Sequence, residues 1–486
     1  MTSTPTHAPQ EQFDPMVVLH GMLDGVGLAS DGHGGSVSFL GADPIFESRL
    51  RLAAAIGIPI MACAVGAATI WKMRTGEGQD LSLDLRQVIH QINPHVAWHP
   101  TLNGLASASA TAFDNPFLIM PFRTRDRRLI MATGVYPHMA AKWLRLLDCP
   151  PDWEKVCAAI AQWDAAELEE VGNAHGLAAS YVRTPEEWAA HPQGSLLAST
   201  PVIEIEKIAA GDPQPFGLAA RPLSDVRVLS FTHAIAGPTV GRTLAEHGAD
   251  VLCPTFPNHL EHDFIYNEAN VGSRSATLDL RIDDHRCCVE ELLRTTDVLV
   301  DNHRPGKLAS FGIDPTQLAT RHPGIVSVAV NAYGHDGPWA ERAGHDQNAA
   351  AASGLMAIEG GDGEAKLPPT GLINDFLTGY MGAAGATAAL IRRATEGGSY
   401  RVKVSLTRTA MFVTSLGQVD PRRAGSSDEH ILREPAGVCS DTPLGTLVAL
   451  APPVVFSQTP PRWEEPLLVP QGSSAPAWRA ARGIAV

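Results

Sequence analysis

Asp375 is the residue of this sequence whose type and surroundings are best suited to chemistry. It stands among uncharged neighbours in PPTGLINDFLTGYMGAAGATAALI, and the residues after it predict a buried helix over residues 378–393. A carboxylate at such a helix start should be partly desolvated, and desolvation accompanies reactivity. The alternative is structural, because an aspartate beside Asn374 at a helix start is also a typical N-cap. Taken alone, the segment favours the cap.

Two predicted turns are suited to binding phosphate. The turn Thr232–Pro238 places glycine and proline where a helix begins, which leaves backbone N–H groups available. The turn Asn302–Gly306 adds polar side chains and the Arg304 guanidinium at a strand end. Arg274 and Arg281 bracket a further strand and could serve a ligand with several phosphates. An ordinary strand-to-helix connection and a solvated loop remain the structural alternatives for the two turns.

The composition is that of a soluble globular protein with two or three domains. The chain has 486 residues, 44% of them hydrophobic and 18% charged, and a net charge of −15 without a basic block. That charge disfavours nucleic acid and anionic membranes as partners. Seven cysteines without a C-x-x-C pair indicate neither a disulfide framework nor a metal site, and a cytoplasmic location fits best. We expect no exported or membrane-spanning segment.

Two segments of the chain share one order of features. Residues 57–85 and 376–406 each read as a small-residue helix, a basic last turn, a Gly-rich turn and an alternating strand. Aligning Gly66 with Gly385 places Ile56 at the position of Asp375. Isoleucine can neither transfer a proton nor attack a carbonyl, so only the second copy can be catalytic.

The predicted fold class is α/β. A doubly wound, Rossmann-like parallel sheet is predicted over residues 223–412, after a smaller α+β unit in residues 1–214 and a Pro/Gly linker at 215–222. Residues 413–486 read as a Pro-rich tail that wraps over another surface, anchored by Trp463 and Trp478. In an open parallel sheet, ligands bind beyond the carboxyl ends of the strands.

From Val226 to Leu406 the sequence resembles family III CoA-transferases, the CaiB/BaiF family, which also contains α-methylacyl-CoA racemases. The resemblance rests on VRVLSFTHAIAGPTVGRTLAEHGADV, NVGSRSATLDL, ADVLVDNHRPGKLASFGID, AYGHDGPWAERAGHDQNAAAASGLM and the NDFLTGY helix with its GGSYRVKVSL ending, in that order. It implies that Asp375 is the nucleophile of a transferase. In the racemases the same aspartate works with an upstream histidine, which here is His345.

The resemblance also implies coenzyme A or an acyl-CoA as substrate, a carboxylic acid as second substrate, and neither a metal nor a nucleotide cofactor. Small residues of the helix (Gly379, Gly382 and Ala383) would let acyl groups lie against it. The implied CoA site comprises His233, Ala236, Arg274, Leu278, Arg281, Asn302, His303 and Arg304.

The N-terminal part is similar to the small domain that normally follows the catalytic helix of this family, so the order is permuted. Family members are typically interlocked dimers, so the resemblance implies a homodimer; the alternative is that one chain supplies both halves of the site. Three positions depart from the family pattern: Ile235, the run Cys253-Pro254-Thr255, and Tyr136 where racemases have a catalytic glutamate. The last departure favours transfer over racemisation.

Three functions are consistent with these residues. The first is an acyl-CoA:carboxylate CoA-transferase that works through an aspartyl-CoA thioester on Asp375. The second is a racemase or epimerase that uses His345 and Asp375 on opposite faces of an α-carbon. The third is a non-catalytic CoA-binding or scaffold protein, suggested by the altered loop residues.

Overall fold

The computed structural model of the chain describes residues 13–106, 115–257 and 260–480. The polar N-terminal residues 1–12 and the residues from 481 onward, which the expected domains include, lie outside this description. The N-terminal part contains the following elements: α1 (Pro15–Val26), β1 (Val37–Leu40), α2 (Leu52–Thr75), β2 (Leu81–Asp84), α3 (Leu85–Val88), β3 (Thr101–Leu102), β4 (Leu105–Ala106), β5 (Phe122–Arg123), β6 (Leu129–Thr133), α4 (Pro137–Leu147), α5 (Trp153–Ile160), α6 (Ala165–Ala174), β7 (Ala178–Tyr181), α7 (Pro185–Ala190), α8 (Pro192–Ser199) and β8 (Glu204–Ala209).

The C-terminal part begins with alternating strands and helices. Its elements are β9 (Arg227–Phe231), α9 (Ala236–Glu246), β10 (Asp250–Thr255), α10 (Asp263–Ala269), β11 (Arg274–Thr277), α11 (Asp283–Leu293), β12 (Val298–Asp301), α12 (Pro315–Arg321), β13 (Val326–Asn331), α13 (Asp346–Ala352), α14 (Leu355–Gly360), α15 (Asn374–Glu396), β14 (Ser399–Ser405), α16 (Leu406–Ser415), β15 (Gly437–Thr442), β16 (Gly445–Leu450) and β17 (Val455–Phe456).

The largest sheet has seven strands in the order β11-β10-β9-β12-β13-β14-β8. Its first six strands are parallel, and β8 from the N-terminal part joins β14 antiparallel at the edge. The strands are rich in Val and Leu because both faces of the sheet are covered. The α/β class expected from the sequence is confirmed.

Successive residues of each strand enter different hydrophobic cores. Val228, with its counterparts on β10, β12 and β13, packs on the side of α9 and α15, within the main core. Leu229 and its counterparts pack instead with Val289 and Leu292 of α11 and Leu318 of α12. This alternation is the period of two of a β-strand, and it produces the doubly wound arrangement.

The helix α15 runs through the main core against α2, α9 and β14. Both α2 and α15 consist mainly of small residues, which let the helix backbones approach each other closely. A Cβ atom at Gly66 of α2 would overlap the side chain of Thr387 of α15. A Cβ atom at Gly379 would lie 2.7 Å from the Ala236 carbonyl oxygen of α9. Glycine is therefore required at both crossings.

By length and composition α2 could cross a membrane, which the sequence-based expectation overlooked. Its most apolar window has a mean hydropathy of 2.0, and 94% of that window is buried inside the fold. A core helix that is apolar on all sides has this character. No other helix in the described ranges meets the same criteria.

The small sheet β5-β6-β7 is antiparallel and carries α4, α5 and α6. Phe117, Phe122, Trp143 and Leu168 belong to a hydrophobic core of its own, separate from the main one. This unit provides the α+β part of the fold. It is connected to the rest through residues 182–203, where Arg183 forms a buried ion pair with Glu169.

The C-terminal segment pairs with several parts of the chain. The strand β17 pairs with β2, and the hairpin β15–β16 continues onto β3 and β4. Trp463 Nε1 donates to the Arg242 carbonyl at 3.0 Å, and Trp478 Nε1 donates to the Leu292 carbonyl at 3.3 Å. The two tryptophans thus attach this segment to α9 and α11, the helices on either face of the large sheet.

The close crossing of α2 and α15 generates a stability prediction. We expect Gly66→Ala to destabilise the fold by about 1–3 kcal/mol, because the added methyl group must displace a buried, β-branched neighbour. Gly21→Ala is the matched control, since Gly21 lies on α1 and its Cβ would meet nothing within 4 Å. The control should be neutral or stabilising by up to about 1 kcal/mol. Urea unfolding measures both, and equal effects would contradict the tight crossing.

Candidate active site at the start of the central helix

The side chain that caps the start of α15 is Asp346, which lies far from it in sequence. Asp346 Oδ2 accepts hydrogen bonds from the backbone N–H of Ile373 at 3.0 Å and of Asp375 at 2.8 Å. Asn374 Nδ2 donates to Asp346 Oδ1 at 3.2 Å. Because Asp346 satisfies these orphan helix donors, the carboxylate of Asp375 is not needed for capping. The structural alternative raised for Asp375 is therefore not realised.

Asp346 is fully buried, and the neighbouring Asp375 is half-buried. Desolvation raises the pKa of Asp375 well above the ordinary aspartate value, and the nearby Asp346 raises it further. Burial also raises the pKa of Asp346, to about 6, although the N–H donors of α15 oppose this. The fold thus holds two carboxyl groups side by side, of which Asp346 is the structural acceptor.

The helix α2 begins with a similar cap but lacks the second carboxyl group. Asp43 accepts hydrogen bonds from the backbone N–H of Ala53 at 2.9 Å and of Ala54 at 2.8 Å. Its pKa is raised to about 6 by burial. Ile56, which aligns with Asp375, is fully buried. The start of α2 thus has a capping acid but no second carboxyl group that could act as a nucleophile.

Tyr136 of the N-terminal part extends to the same site. Its hydroxyl donates to Glu261 Oε1 at 2.9 Å, and Glu261 Oε2 accepts from the Ala234 N–H at 2.7 Å. Burial, Glu261 and Asp375 together raise the pKa of Tyr136, so the phenol stays protonated. Ala234 has a φ of 58°, an uncommon left-handed conformation for a residue with a side chain. Glu261 therefore joins the N-terminal part to the loop between β9 and α9.

A cavity of about 270 Å³, here called the sheet-edge cavity, lies at the carboxyl ends of β9, β10, β11 and β12. This is where an α/β sheet binds ligands. Its wall combines apolar side chains with Arg281 and Lys307. The expected CoA-binding residues that line it are His233, Leu278, Arg281 and His303.

Two other expected residues hold the wall of this cavity in place. Asn302 Nδ2 donates to the His233 carbonyl at 2.7 Å, while Asn302 Oδ1 accepts from the His233 N–H at 3.1 Å. Ala236 is the buried first residue of α9. His303 Nδ1 lies 2.9 Å from Asp301 Oδ1. The loop after β9 is thus fixed to the loop after β12.

Arg274 and Arg304 do not reach the sheet-edge cavity. Arg274 begins β11 and lies at the opposite end of that strand, where Asp250 binds its guanidinium at 2.8 Å. Arg304 is exposed and donates to the Gly176 carbonyl at 2.8 Å. Both expectations relied on sequence position near a strand, which does not specify the direction of the side chain. The sequence-based assignment of these two arginines to phosphate is not supported.

His345 precedes Asp346 and lies at the start of α13. Its backbone N–H donates to Asn348 Oδ1 at 3.1 Å. Burial lowers the pKa of His345 to about 4, and the Arg304 guanidinium contributes to this. The imidazole is consequently neutral at physiological pH and can accept a proton but not readily supply one.

A second cavity, of about 260 Å³, is lined by residues around the start of α15 and is here called the inner cavity. Leu372 and Phe376, which flank Asp375, line it together with Ile235. Residues 93–96 of the N-terminal part complete the wall. Gly379 and Gly382 do not provide this space, because α9 fills it: added Cβ atoms would lie 2.5 Å from Thr239 Cβ and 2.9 Å from Val240 Cγ2.

Sequence reasoning missed Asp346 and Glu261 as site residues. Asp346 belongs to the Gly-His-Asp triplet, in which only the histidine was assigned a role. Because Asp346 and Asp375 are distant in sequence, no local pattern indicates that Asp346 caps the helix that carries Asp375. Glu261 follows a polar loop with no periodic pattern. Within the described ranges, no group of three or more His, Cys, Asp or Glu residues could hold a metal ion.

Residues 223–436 match the family described as CoA-transferase family III. The match is confined to the C-terminal part of the chain, which contains β9 to β14. An acetyl-coenzyme A transferase, nodX, of Hypoxylon pulicicidum is 30% identical over 297 residues, which cover 57% of this chain and 48% of that protein. The succinate–glutarate CoA-transferase of Agrobacterium fabrum is 29% identical over 203 residues, or 38% of this chain and 51% of that protein.

The chain spans about half the length of these curated relatives. Among solved structures, a CaiB/BaiF family protein from Brucella suis is 25% identical, with 46% of this chain and 65% of that chain covered and a TM-score of 0.38.

Because Asp346 and not Asp375 caps α15, we expect substitutions of these two residues to have opposite effects on the stability of the fold. Asp375→Asn should stabilise the fold by about 0.5–2 kcal/mol at neutral pH, since a desolvated charge is removed. The pKa of Asp375 is raised in the folded state, so its ionisation costs stability as the pH rises, and the gain should vanish in acid. Asp346→Ala should destabilise by about 1 kcal/mol or more, because it removes the oxygen that accepts the N–H groups of Ile373 and Asp375.

Urea unfolding at acidic and neutral pH measures both effects. Asp283→Asn, on an exposed part of α11, is the control and should change little. A loss of stability in Asp375→Asn similar to that in Asp346→Ala would mean that the carboxylate of Asp375 stabilises the folded state, contrary to this prediction.

The sheet-edge cavity yields a binding prediction. Replacing Arg281 and Lys307 together by Ala should weaken CoA binding by about tenfold or more, because both cations face the cavity. Arg274→Ala should leave the affinity nearly unchanged, since Arg274 lies at the other end of β11. Isothermal titration with CoA at fixed ionic strength distinguishes the two. A larger loss in Arg274→Ala would restore the sequence-based assignment.

Proposed function

We propose that the chain is an acyl-CoA:carboxylate CoA-transferase whose nucleophile is Asp375. The observation that carries the proposal is the Asp375 carboxyl group, which is released from capping by Asp346 and is flanked by two residues of the inner cavity, Leu372 and Phe376. The match of residues 223–436 to CoA-transferase family III supports the reaction class. The sheet-edge cavity would take coenzyme A, and the inner cavity would take the acyl group.

In the first half of the reaction, the ionised carboxylate of Asp375 attacks the thioester carbonyl carbon of the donor acyl-CoA. The carbon–sulfur bond breaks, the thiolate of CoA leaves, and an acyl–aspartyl anhydride remains. The thiolate then attacks the aspartyl carbonyl of that anhydride. This step releases the donor acid as a carboxylate and leaves Asp375 as a CoA thioester.

In the second half, the carboxylate of the acceptor acid attacks the aspartyl thioester and expels the thiolate again. The thiolate attacks the acceptor carbonyl of the new anhydride, which forms the product acyl-CoA and regenerates the carboxylate of Asp375. Every step exchanges one activated carboxyl group for another. The donor thioester thus supplies the activation that the product retains.

Both anhydrides and the thioester react with water, so the site must exclude it. Tyr136 is buried against Glu261 and interacts with Asp375, and Ile235 and Phe376 are buried nearby. Tyr136 comes from the N-terminal part and Asp375 from the C-terminal part. One chain would therefore supply both halves of the site, whether or not it also forms a homodimer.

A racemase is the second candidate, because Asp346 bonds to the start of α15 and brings His345, its neighbour in sequence, toward this region. Such an enzyme needs one group that takes a proton and another that returns it. A histidine with a pKa of about 4 is a weak base and is almost entirely unprotonated near neutral pH, so it holds no proton to return, and Tyr136 stays protonated. These two properties favour the transferase.

Trapping of the aspartyl intermediate tests the proposal. The protein is incubated with an acyl-CoA, quenched with hydroxylamine and digested, and the peptide that contains Asp375 is examined by mass spectrometry. We expect a hydroxamate on Asp375, because hydroxylamine attacks both the anhydride and the thioester. Asp375→Asn should give no label, and the exposed control Asp283→Asn should label as the wild type does.

The other outcomes identify the alternatives. An unmodified Asp375 together with deuterium from solvent at the substrate α-carbon would contradict the transferase and support the racemase. CoA binding without label and without exchange would indicate a binding or scaffold protein.

A further inference from the structure

The inner cavity contains three buried polar atoms in an otherwise apolar wall. They are Glu268 Oε1, His95 Nδ1 and Thr370 Oγ1, and none has a hydrogen-bond partner among the residues that the structure describes. Glu268 is 2% exposed and Thr370 is 1% exposed. A buried polar atom without a partner is costly, so three around one cavity indicate a ligand that satisfies them.

The protonation states of these groups define the kind of ligand. His95 Nε2 lies 3.2 Å from the Phe264 carbonyl and must donate to it, which leaves Nδ1 as an acceptor. Burial lowers the pKa of His95, so the ring is neutral. Burial raises the pKa of Glu268 to about 8, although Arg242 opposes this, so the carboxyl group is protonated near neutral pH and can donate. Thr370 can donate or accept.

The inner cavity therefore combines a mainly apolar wall with three uncharged polar groups. Arg242 is the cation that acts on Glu268, yet it does not line the cavity, and its guanidinium donates to Gln91 at 3.2 Å and to Tyr380 at 3.4 Å. A ligand carboxylate would enter without a cationic partner, which is strongly unfavourable. A hydroxyl group, by contrast, can donate to His95 Nδ1 and accept from Glu268 or Thr370.

The size of the inner cavity limits the length of the ligand. Its volume is about 260 Å³, and a cavity of about 150 Å³ already holds benzene. Most of the wall is apolar and suits methylene groups, with Ile265, Leu372 and Phe376 among its residues. Because Leu372 and Phe376 flank Asp375, an acyl chain in this cavity would have its carbonyl end near the nucleophile.

We propose that the inner cavity is the acyl subsite and that it selects short hydroxyacyl groups over unsubstituted and dicarboxylic acyl groups of the same length. This inference rests on the proposed transferase function, since it assigns the cavity to the transferred acid. The proposed selectivity would distinguish this chain from a protein that acts on dicarboxylates, such as the succinate–glutarate CoA-transferase to which the chain is similar.

A series of four-carbon donors tests the proposal: 3-hydroxybutyryl-, 4-hydroxybutyryl-, butyryl- and succinyl-CoA. The measured quantity is the rate of hydroxamate formation on Asp375 with each donor at equal, subsaturating concentration. We expect the better hydroxybutyryl donor to label at least about tenfold faster than butyryl-CoA, and succinyl-CoA to be slowest.

Variants of the polar wall provide the controls. Thr370→Val keeps the shape of the side chain and removes its hydroxyl, so it should reduce the preference for the hydroxyacyl donor several-fold while butyryl labelling is retained. Glu268→Leu should reduce the preference further, whereas Glu268→Gln keeps a neutral donor and should retain most of it. Thr316→Val, on α12, is the matched control and should keep the wild-type order of donors.

The outcomes separate this inference from the function on which it depends. Equal labelling by butyryl-CoA and both hydroxybutyryl donors, or fastest labelling by succinyl-CoA, would overturn the selectivity and leave Asp375 as nucleophile intact. A preference that survives in Thr370→Val and in Glu268→Leu would also overturn it. Absence of label with every donor would contradict the transferase itself, and the acyl subsite with it.

Discussion

The arrangement of this site depends on a hydrogen-bonded cap from one carboxylate to the start of one helix. Asp346 accepts the N–H groups of Ile373 and Asp375, and this holds the reacting helix to the segment that precedes α13. A helix start must have its donors satisfied, and the acid that does so cannot at the same time be a free nucleophile. By assigning the cap to Asp346, the fold leaves Asp375 available, at the cost of desolvating two acids side by side.

The close packing of small-residue helices explains how two parts of the chain meet at this point. The helices α2 and α15 approach until Gly66 lies against Thr387, and α9 crosses α15 at Gly379. These crossings position the helix whose first turn carries Asp375. The N-terminal part then contributes Tyr136 on one side and residues 93–96 on the other.

Much of the fold was predictable, because the strands β9 to β14 have alternating or continuous apolar patterns and their turns have glycine, proline and capping residues. The isolation of Asp375 among small, uncharged residues also predicted a reactive acid, and that role stays a prediction. The cap by Asp346 and the bridge by Glu261 could not be predicted from the sequence. Each joins residues that are distant in sequence and depends on the direction of a side chain. The assignment of Arg274 to a phosphate is unsupported for the same reason. The sequence indicates its position beside a strand but not its pairing with Asp250.

The bridge from Tyr136 through Glu261 to Ala234 lies within a single chain. In a site assembled from two chains, the same contact would be lost on dilution, because association follows mass action. Here the covalent connection between the two parts fixes their effective concentration. Dilution does not separate the two parts, and no second subunit has to keep a matching surface for this contact to form.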